Sequence, residues 1–73
     1  MKIDKEQLEN WFSYHAPYEF QFEKYGKIRE AGLLFAEVIL DNTPTSADQT
    51  VAIRKVREAV MVANSAIACS TEC

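Results

Sequence analysis

Glycine, proline and cysteine are scarce in this chain of 73 residues, which has two of each. Both cysteines, Cys69 and Cys73, lie in the last five residues, so a disulfide between them would close only a short loop. We therefore expect reduced thiols, as in a cytoplasmic protein. A CxxxC zinc site would need two more ligands, and His15 is the only histidine. The sequence thus predicts no disulfide framework, no metal site and no cofactor.

Long apolar runs and an excess of positive charge are also missing. No stretch approaches the roughly 20 apolar residues that cross a bilayer, and the segment "MKIDKEQLENW" is too charged for a signal peptide. The net charge of −3 argues against generic nucleic-acid binding, which normally takes a broad basic surface. It leaves room for a small anionic ligand in a locally basic pocket. We expect a protein of the cytoplasm that neither spans a membrane nor binds DNA.

The motifs of common catalytic sites are absent as well. The sequence shows no recognisable Ser-His-Asp arrangement, no glycine-rich phosphate loop and no paired-histidine metal motif. His15 lies in a predicted loop beside a proline, where an exposed or loop-capping histidine is the simplest interpretation. The sequence therefore predicts a protein that is not an enzyme.

Helix-start signals are the clearest feature that is present. Asp4 with Gln7, and Ser46 with Gln49, each place a capping residue three positions before an amide, the form of a capping box. The "HAP" segment ends the first helix, because the residue before a proline disfavours helical geometry, and Pro17 suits the first position of the next helix. The fold class is all-α, a short N-terminal helix and two long antiparallel helices in a single domain, residues 1–73. The predicted helices cover about 4–14, 17–41 and 46–68.

The apolar pattern predicts assembly of several copies. Tyr25, Ile28, Gly32, Phe35 and Ile39 recur at helical spacing in the second helix. The run "AVMVANSAIAC" in the third is apolar almost all the way round, so it should be buried on every side. A chain of this size cannot surround its own last helix, and small domains often need oligomerisation for stability. We expect a homo-oligomeric helical bundle.

The cations differ in their helical neighbours. Lys27 has acids at positions i−4 and i+3, and Arg54 has one at i+4, so both are predicted to form ion pairs. Arg29 and Arg57 have no acid at these spacings. An unpaired arginine beside apolar surface suits a phosphate, which its guanidinium can grip with two hydrogen bonds.

Small and aromatic residues surround Arg29 in the sequence. Gly26 and Gly32 lie one turn on either side of it, and glycine in a helix costs up to about 1 kcal/mol relative to alanine. Something should therefore approach the backbone there, either a second helix or a phosphate or base. Tyr14 and Tyr18 precede the helix; they either stack on a base, worth roughly 1–3 kcal/mol, or pack in the core or a subunit interface.

Asn64 interrupts the apolar run of the third helix. A single buried asparagine can fix the register of a helix interface. Alternatively, its amide lines a central pocket and reads a base edge. The sequence leaves both roles open.

Four segments together resemble a known family. They are "YHAP", "YGKIREAG", "NTPTSADQTVAIRKVREAV" and "MVANSAIA", spanning about residues 14–68, and they are similar to the anti-CBASS sponge proteins of tailed phages. The resemblance implies that Tyr14 stacks on a base of a cyclic dinucleotide and that Arg29, in place of a lysine, contacts its phosphate. It also implies compact hexamers, pockets between subunits and separate sites for cyclic trinucleotides. Ser65 stands where that second site would need a cation.

These features lead to one main hypothesis and one alternative. The main one is a phage-encoded sponge in the host cytoplasm that sequesters cyclic di- or oligonucleotide immune messengers without cleaving them. Arg54 or Arg57 would add charge to the phosphate site from a neighbouring helix. The alternative is a helical oligomerisation or adaptor protein that binds a protein partner. The candidate ligand-binding residues are Tyr14, Arg29, Tyr18, Gly26, Arg54, Arg57 and Asn64.

Overall fold

A computed structural model describes residues 3–70, and its regular secondary structure over that range consists of three helices. They are α1 (Lys5–Phe12), α2 (Glu19–Asn42) and α3 (Ala47–Ala68). This confirms the all-α class. The observed ends lie within two residues of the predicted ones, a difference typical of helix termini. One detail of the prediction was wrong: Tyr18 is the N-cap of α2, so Pro17 precedes the helix and does not occupy its first position.

The predicted capping residues begin α1 and α3. Asp4 Oδ1 accepts a hydrogen bond from the Gln7 backbone N–H at 2.8 Å. Ser46 Oγ accepts one from the Gln49 N–H at 3.1 Å. These bonds satisfy helix N–H groups that have no partner within the helix. The Gln49 side chain does not complete a capping box; its Nε2 donates to the Thr43 carbonyl at 3.1 Å, which ties the α2–α3 connection together.

Helices α2 and α3 form an antiparallel hairpin. Near the start of α2, Gln21 Nε2 donates to the Ile67 carbonyl at 3.1 Å, close to the end of α3. Midway along, a Cβ atom added at Gly32 would collide with the Val60 side chain. The two helices therefore approach each other closely at a position where α2 has no side chain.

Residues 3–70 of the chain have almost no interior. Among residues 3–70 no hydrophobic side chain is buried, and the one buried residue is Gln21, at 3% exposure. Met61 and Val62 in the apolar run of α3 are 61% and 63% exposed. The radius of gyration is 15.3 Å, whereas a compact chain of this length has about 11 Å. The accessible surface is 6299 Å², about 1,700 Å² more than the roughly 4,600 Å² typical of a folded monomer of this mass.

Candidate functional site

A groove bordered by two arginines lies between α2 and α3. It has a volume of about 270 Å³ and brings together two arginines from different helices over an apolar floor. We refer to it as the arginine groove. Its lining residues are Arg29, Gly32, Leu33, Ala36, Ile53, Val56, Arg57, Val60 and Met61.

The guanidinium groups of this groove have no carboxylate partner in the described chain. Lys27 Nζ lies 3.3 Å from Glu23 Oε1, which confirms the predicted pairing of that lysine. It is the one ion pair among residues 3–70, so Arg29 and Arg57 keep their donors for another partner. The predicted pairing of Arg54 was wrong: its i+4 acid is not within ion-pair distance, and exposed pairs of this kind gain little in water. Arg54 also lies outside the lining of the arginine groove.

The two glycines near Arg29 have different environments. A Cβ added at Gly26 would meet no atom within 4 Å, so the backbone there faces open space. Gly32 instead accommodates the side chain of Val60. Of the two interpretations left open by the sequence, close helix packing therefore holds for Gly32. Gly26 remains accessible to an approaching group.

An aromatic pocket lies at the end of the hairpin where α1 meets α3. It has a volume of about 370 Å³. Tyr14 is 88% exposed and Tyr18 is 63% exposed, so both rings present area to a partner. The residues that line the pocket are Asn10, Tyr14, His15, Ala16, Tyr18, Ala68, Cys69 and Ser70.

The rings of this region form a short stack. Tyr18 and Phe20 lie parallel, with centroids 5.6 Å apart and an angle of 3° between their planes. Lys24 Nζ lies 5.9 Å from the Phe20 centroid, within the range of a cation–π contact. Phe20 therefore occupies one face of Tyr18, whereas no ring contact covers Tyr14 in the described chain.

The connection between α1 and α2 is held against the end of α3. Asn10 Nδ2 donates to the Cys69 carbonyl at 3.1 Å. His15 Nε2 lies 2.6 Å from the Asn10 carbonyl, which confirms the prediction of a loop-capping histidine. On the other side of the connection, Gln21 Oε1 accepts from the Tyr18 N–H at 2.9 Å.

The arginine groove and the aromatic pocket are separate sites on the chain. Tyr18 and Arg29 are eleven residues apart in the sequence. At the rise of an α-helix this is about 16 Å, or about three turns. No cavity described above is lined by both a tyrosine and an arginine.

Asn64 belongs to the lining of neither cavity. Its Oδ1 is buried and accepts no hydrogen bond from residues 3–70. A buried acceptor without a donor costs about 1–3 kcal/mol. The oxygen could therefore accept a hydrogen bond from a donor outside residues 3–70.

Several site residues were not found from the sequence. Asn10 and Gln21 read as ordinary polar residues of helix ends, yet their amides reach carbonyls 59 and 46 residues away. The one available signal was Gln21 at the third position of α2, where a side-chain amide can accept from the N-cap N–H. Its second bond, to α3, depends on how the helices pack.

Other types of site find no support in the described residues. Within residues 3–70, no group of three or more His, Cys, Asp or Glu side chains is placed to hold a metal ion. None of the helices there combines the length and hydropathy needed to cross a bilayer. Cys69 is a free thiol, while Cys73 lies outside the described residues.

Comparison with known proteins shows the family. Neither the curated proteins nor the solved structures gave a match. A family profile described as "Acb2/Tad1, hairpin domain" matches residues 4–68, which include all three helices. The Acb2/Tad1 family consists of sponge proteins, which bind their ligands and are not known as enzymes. The chain therefore belongs to the Acb2/Tad1 hairpin-domain family, the phage anti-CBASS sponge family that its sequence resembles.

Proposed function

We propose that this protein binds cyclic dinucleotides and sequesters them in the host cytoplasm without cleaving them. One observation carries the proposal: two arginines without carboxylate partners converge on one apolar groove of a chain whose net charge is −3. Two cationic side chains of this acidic protein therefore border one groove, where they could grip a phosphate. Lowering the free concentration of the messenger would keep the host effector inactive.

Arg29 and Arg57 are the proposed phosphate ligands. A guanidinium offers donors in a planar fork that matches two phosphate oxygens. Because Arg57 lines the groove and Arg54 does not, we assign the additional charge to Arg57. Gly26 lies one turn before Arg29 with open space above its backbone, which allows close approach of the ligand.

Tyr14 is the proposed platform for a base. Its ring is almost fully exposed, and stacking on an aromatic ring is worth roughly 1–3 kcal/mol per base. Tyr18 offers the ring face that Phe20 leaves open. Since Tyr18 and Arg29 are about 16 Å apart along one chain and Tyr14 lies four residues further from Arg29 in the sequence, a ring-shaped ligand that touches a tyrosine and Arg29 would lie between two subunits.

Assembly into a homo-oligomer is part of the proposal. The surface in excess of a typical monomer is about 1,700 Å², which equals about two standard interfaces at roughly 800 Å² per partner. The exposed residues Met61 and Val62 and the unpaired Asn64 Oδ1 also favour covering by other chains. The resemblance to the sponge family favours a hexamer.

The lining of the arginine groove supports binding without chemistry. It includes no carboxylate, histidine or thiol that could act as base or nucleophile. A second site for cyclic trinucleotides has less support, because Ser65 is an exposed hydroxyl residue where a cation would be needed.

Calorimetry with a panel of cyclic di- and trinucleotides tests this function. We expect saturable heat with at least one cyclic dinucleotide at micromolar protein, and recovery of the intact ligand after denaturation. An absence of heat with every member of the panel would refute nucleotide binding. Recovery of linear products would show a phosphodiesterase instead.

A protein-binding adaptor is the second candidate function. A larger groove of about 520 Å³ on the hairpin is almost wholly apolar, with Lys55 as its one charged lining residue. On this hypothesis, Arg29→Ala would leave function intact, whereas changes at Ala63 or Ile67 would abolish it. The sponge hypothesis predicts that Arg29→Ala abolishes ligand binding and leaves assembly intact.

A further inference from the structure

Two side-chain amides fasten the segment that carries the tyrosines. This segment, residues 13–18, connects α1 to α2 and is called the aromatic connection below. Asn10 lies before it and donates to the Cys69 carbonyl at 3.1 Å. Gln21 lies after it and donates to the Ile67 carbonyl at 3.1 Å. Both acceptors belong to the last turn of α3 or its cap, and the Ile67 carbonyl also accepts from the Ser70 N–H at 3.2 Å.

Two further hydrogen bonds hold the backbone of the connection, one made by the Gln21 side chain and one by the main-chain carbonyl of Asn10. Gln21 Oε1 accepts from the Tyr18 N–H at 2.9 Å, so one buried side chain joins Tyr18 to α3. The Asn10 carbonyl is 2.6 Å from His15 Nε2, next to Tyr14 in the chain. The aromatic connection is thus pinned at both ends and in its interior.

We infer that Asn10 and Gln21 are positioning residues that hold Tyr14 and Tyr18 in place for base stacking. This inference rests on the proposed function. It assigns to Asn10 and Gln21 a role in that function that requires no contact with the phosphate of the ligand. Because residues 3–70 contain no apolar core that could order this segment, the hydrogen bonds of these side chains order it instead. Without them the stacking arrangement would be populated only part of the time, and the apparent affinity falls by that fraction.

The chain contains a matched control at the far end of the hairpin. Gln49 is also a glutamine near the start of a helix, and its Nε2 donates to the carbonyls of Thr43 and Leu40 at 3.1 and 3.4 Å. It performs the same kind of fastening where no tyrosine is present. Gln21→Met and Gln49→Met remove the same groups with a side chain of similar length. Asn10→Ala removes the hydrogen bond to the Cys69 carbonyl. It carries less risk to folding than Gln21→Met, because Asn10 is only half-buried.

The experiment compares these variants in the full chain, with cyclic di-AMP and cyclic di-GMP as probes. Stopped-flow binding gives association and dissociation rates, and hydrogen exchange follows the amides of residues 13–18. For Asn10→Ala we expect binding weaker by about fivefold to tenfold, the effect of one lost hydrogen bond. Gln21→Met loses two hydrogen bonds, so its loss of affinity should be at least as large. The loss should lie in the association rate, and exchange in the aromatic connection should be faster. Gln49→Met should match the wild-type protein in affinity and in that exchange.

The outcomes separate this inference from the proposed function. If the wild-type protein binds neither probe nor any other cyclic dinucleotide, the proposed function fails; exchange in residues 13–18 then still decides whether the amides order them. If the wild-type protein binds and all three variants bind equally well, the positioning role is refuted. Unchanged exchange in both Asn10→Ala and Gln21→Met refutes it whatever the binding result.

Discussion

Arg29 and Arg57 are the residues whose replacement tests the phosphate site most directly. A hydrogen bond to a charged group contributes about 1.5–3 kcal/mol, so Arg29→Ala should weaken cyclic dinucleotide binding by about 10- to 150-fold. Arg57→Ala should act in the same direction. Arg29→Lys should lie between, because lysine keeps the charge and loses the fork of donors. Calorimetry on purified variants measures these changes.

Lys27→Ala is the control for that series. It removes one positive charge two residues from Arg29, from a side chain that is already paired with Glu23. Its affinity should stay close to that of the wild-type protein. Equal losses for Lys27→Ala and Arg29→Ala would show that only net charge matters and would contradict a specific arginine contact.

Asn64 leads to a second prediction at the residue scale. If a neighbouring subunit supplies the donor that Oδ1 lacks, Asn64→Leu removes an intersubunit hydrogen bond. We expect the assembly of this variant to have a higher dissociation constant and a lower melting temperature than the wild-type assembly. Both changes should correspond to a loss of about 1–3 kcal/mol of assembly free energy. Sedimentation and thermal melts measure both. Ser65→Ala, at the exposed next position, is the control; a more stable Asn64→Leu protein would mean that the oxygen has no donor in the assembly.

At the scale of elements, the packing of α2 against α3 predicts opposite effects on stability for alanine substitutions at Gly26 and Gly32. Gly26→Ala adds a methyl group to open space in a helix, so it should raise the free energy of unfolding by up to about 1 kcal/mol. Gly32→Ala drives the same methyl group into Val60 and should lower that free energy by about 1–3 kcal/mol. Urea unfolding of the two variants gives the comparison.

The same pair of variants also examines the ligand site. The proposed approach of a ligand to Gly26 predicts that Gly26→Ala binds more weakly although it is more stable. A Gly26→Ala protein with lower stability would contradict the open environment of that residue and indicate that another chain covers it.

At the scale of the whole molecule, exposed apolar surface is the basis of the proposed homo-oligomer. Val62 is 63% exposed in the apolar run of α3. Val62→Asp should therefore dissociate the assembly, and the melting temperature of the wild-type protein should rise with its concentration. Lys27→Ala changes the net charge by the same amount on a polar surface and should leave the mass unchanged. Sedimentation that gives 8.3 kDa for the wild-type protein at micromolar concentration would refute the homo-oligomer.

Local features of this chain were predictable because their physical causes are local. Asp4 and Ser46 cap helices through bonds that span three residues, and Lys27 pairs with an acid one turn away. Capping and proline signals likewise located the ends of α2 and α3 to within two residues. The predicted pair of Arg54 failed because spacing permits an exposed ion pair without making it favourable.

Sequence alone thus determined the three helices, their capping, the lack of a self-sufficient core and the family resemblance. Only the tertiary structure decided that Arg57, and not Arg54, shares a groove with Arg29. It also decided that the Val60 side chain occupies the space beside the Gly32 backbone, whereas the space beside Gly26 is empty. It further decided that Gln21 joins Tyr18 to the end of α3. These relations depend on the register and rotation of α2 against α3, which place residues distant in the chain side by side. Helical periodicity assigns a residue to a face of its own helix, but it does not say which residue of the other helix that face will meet.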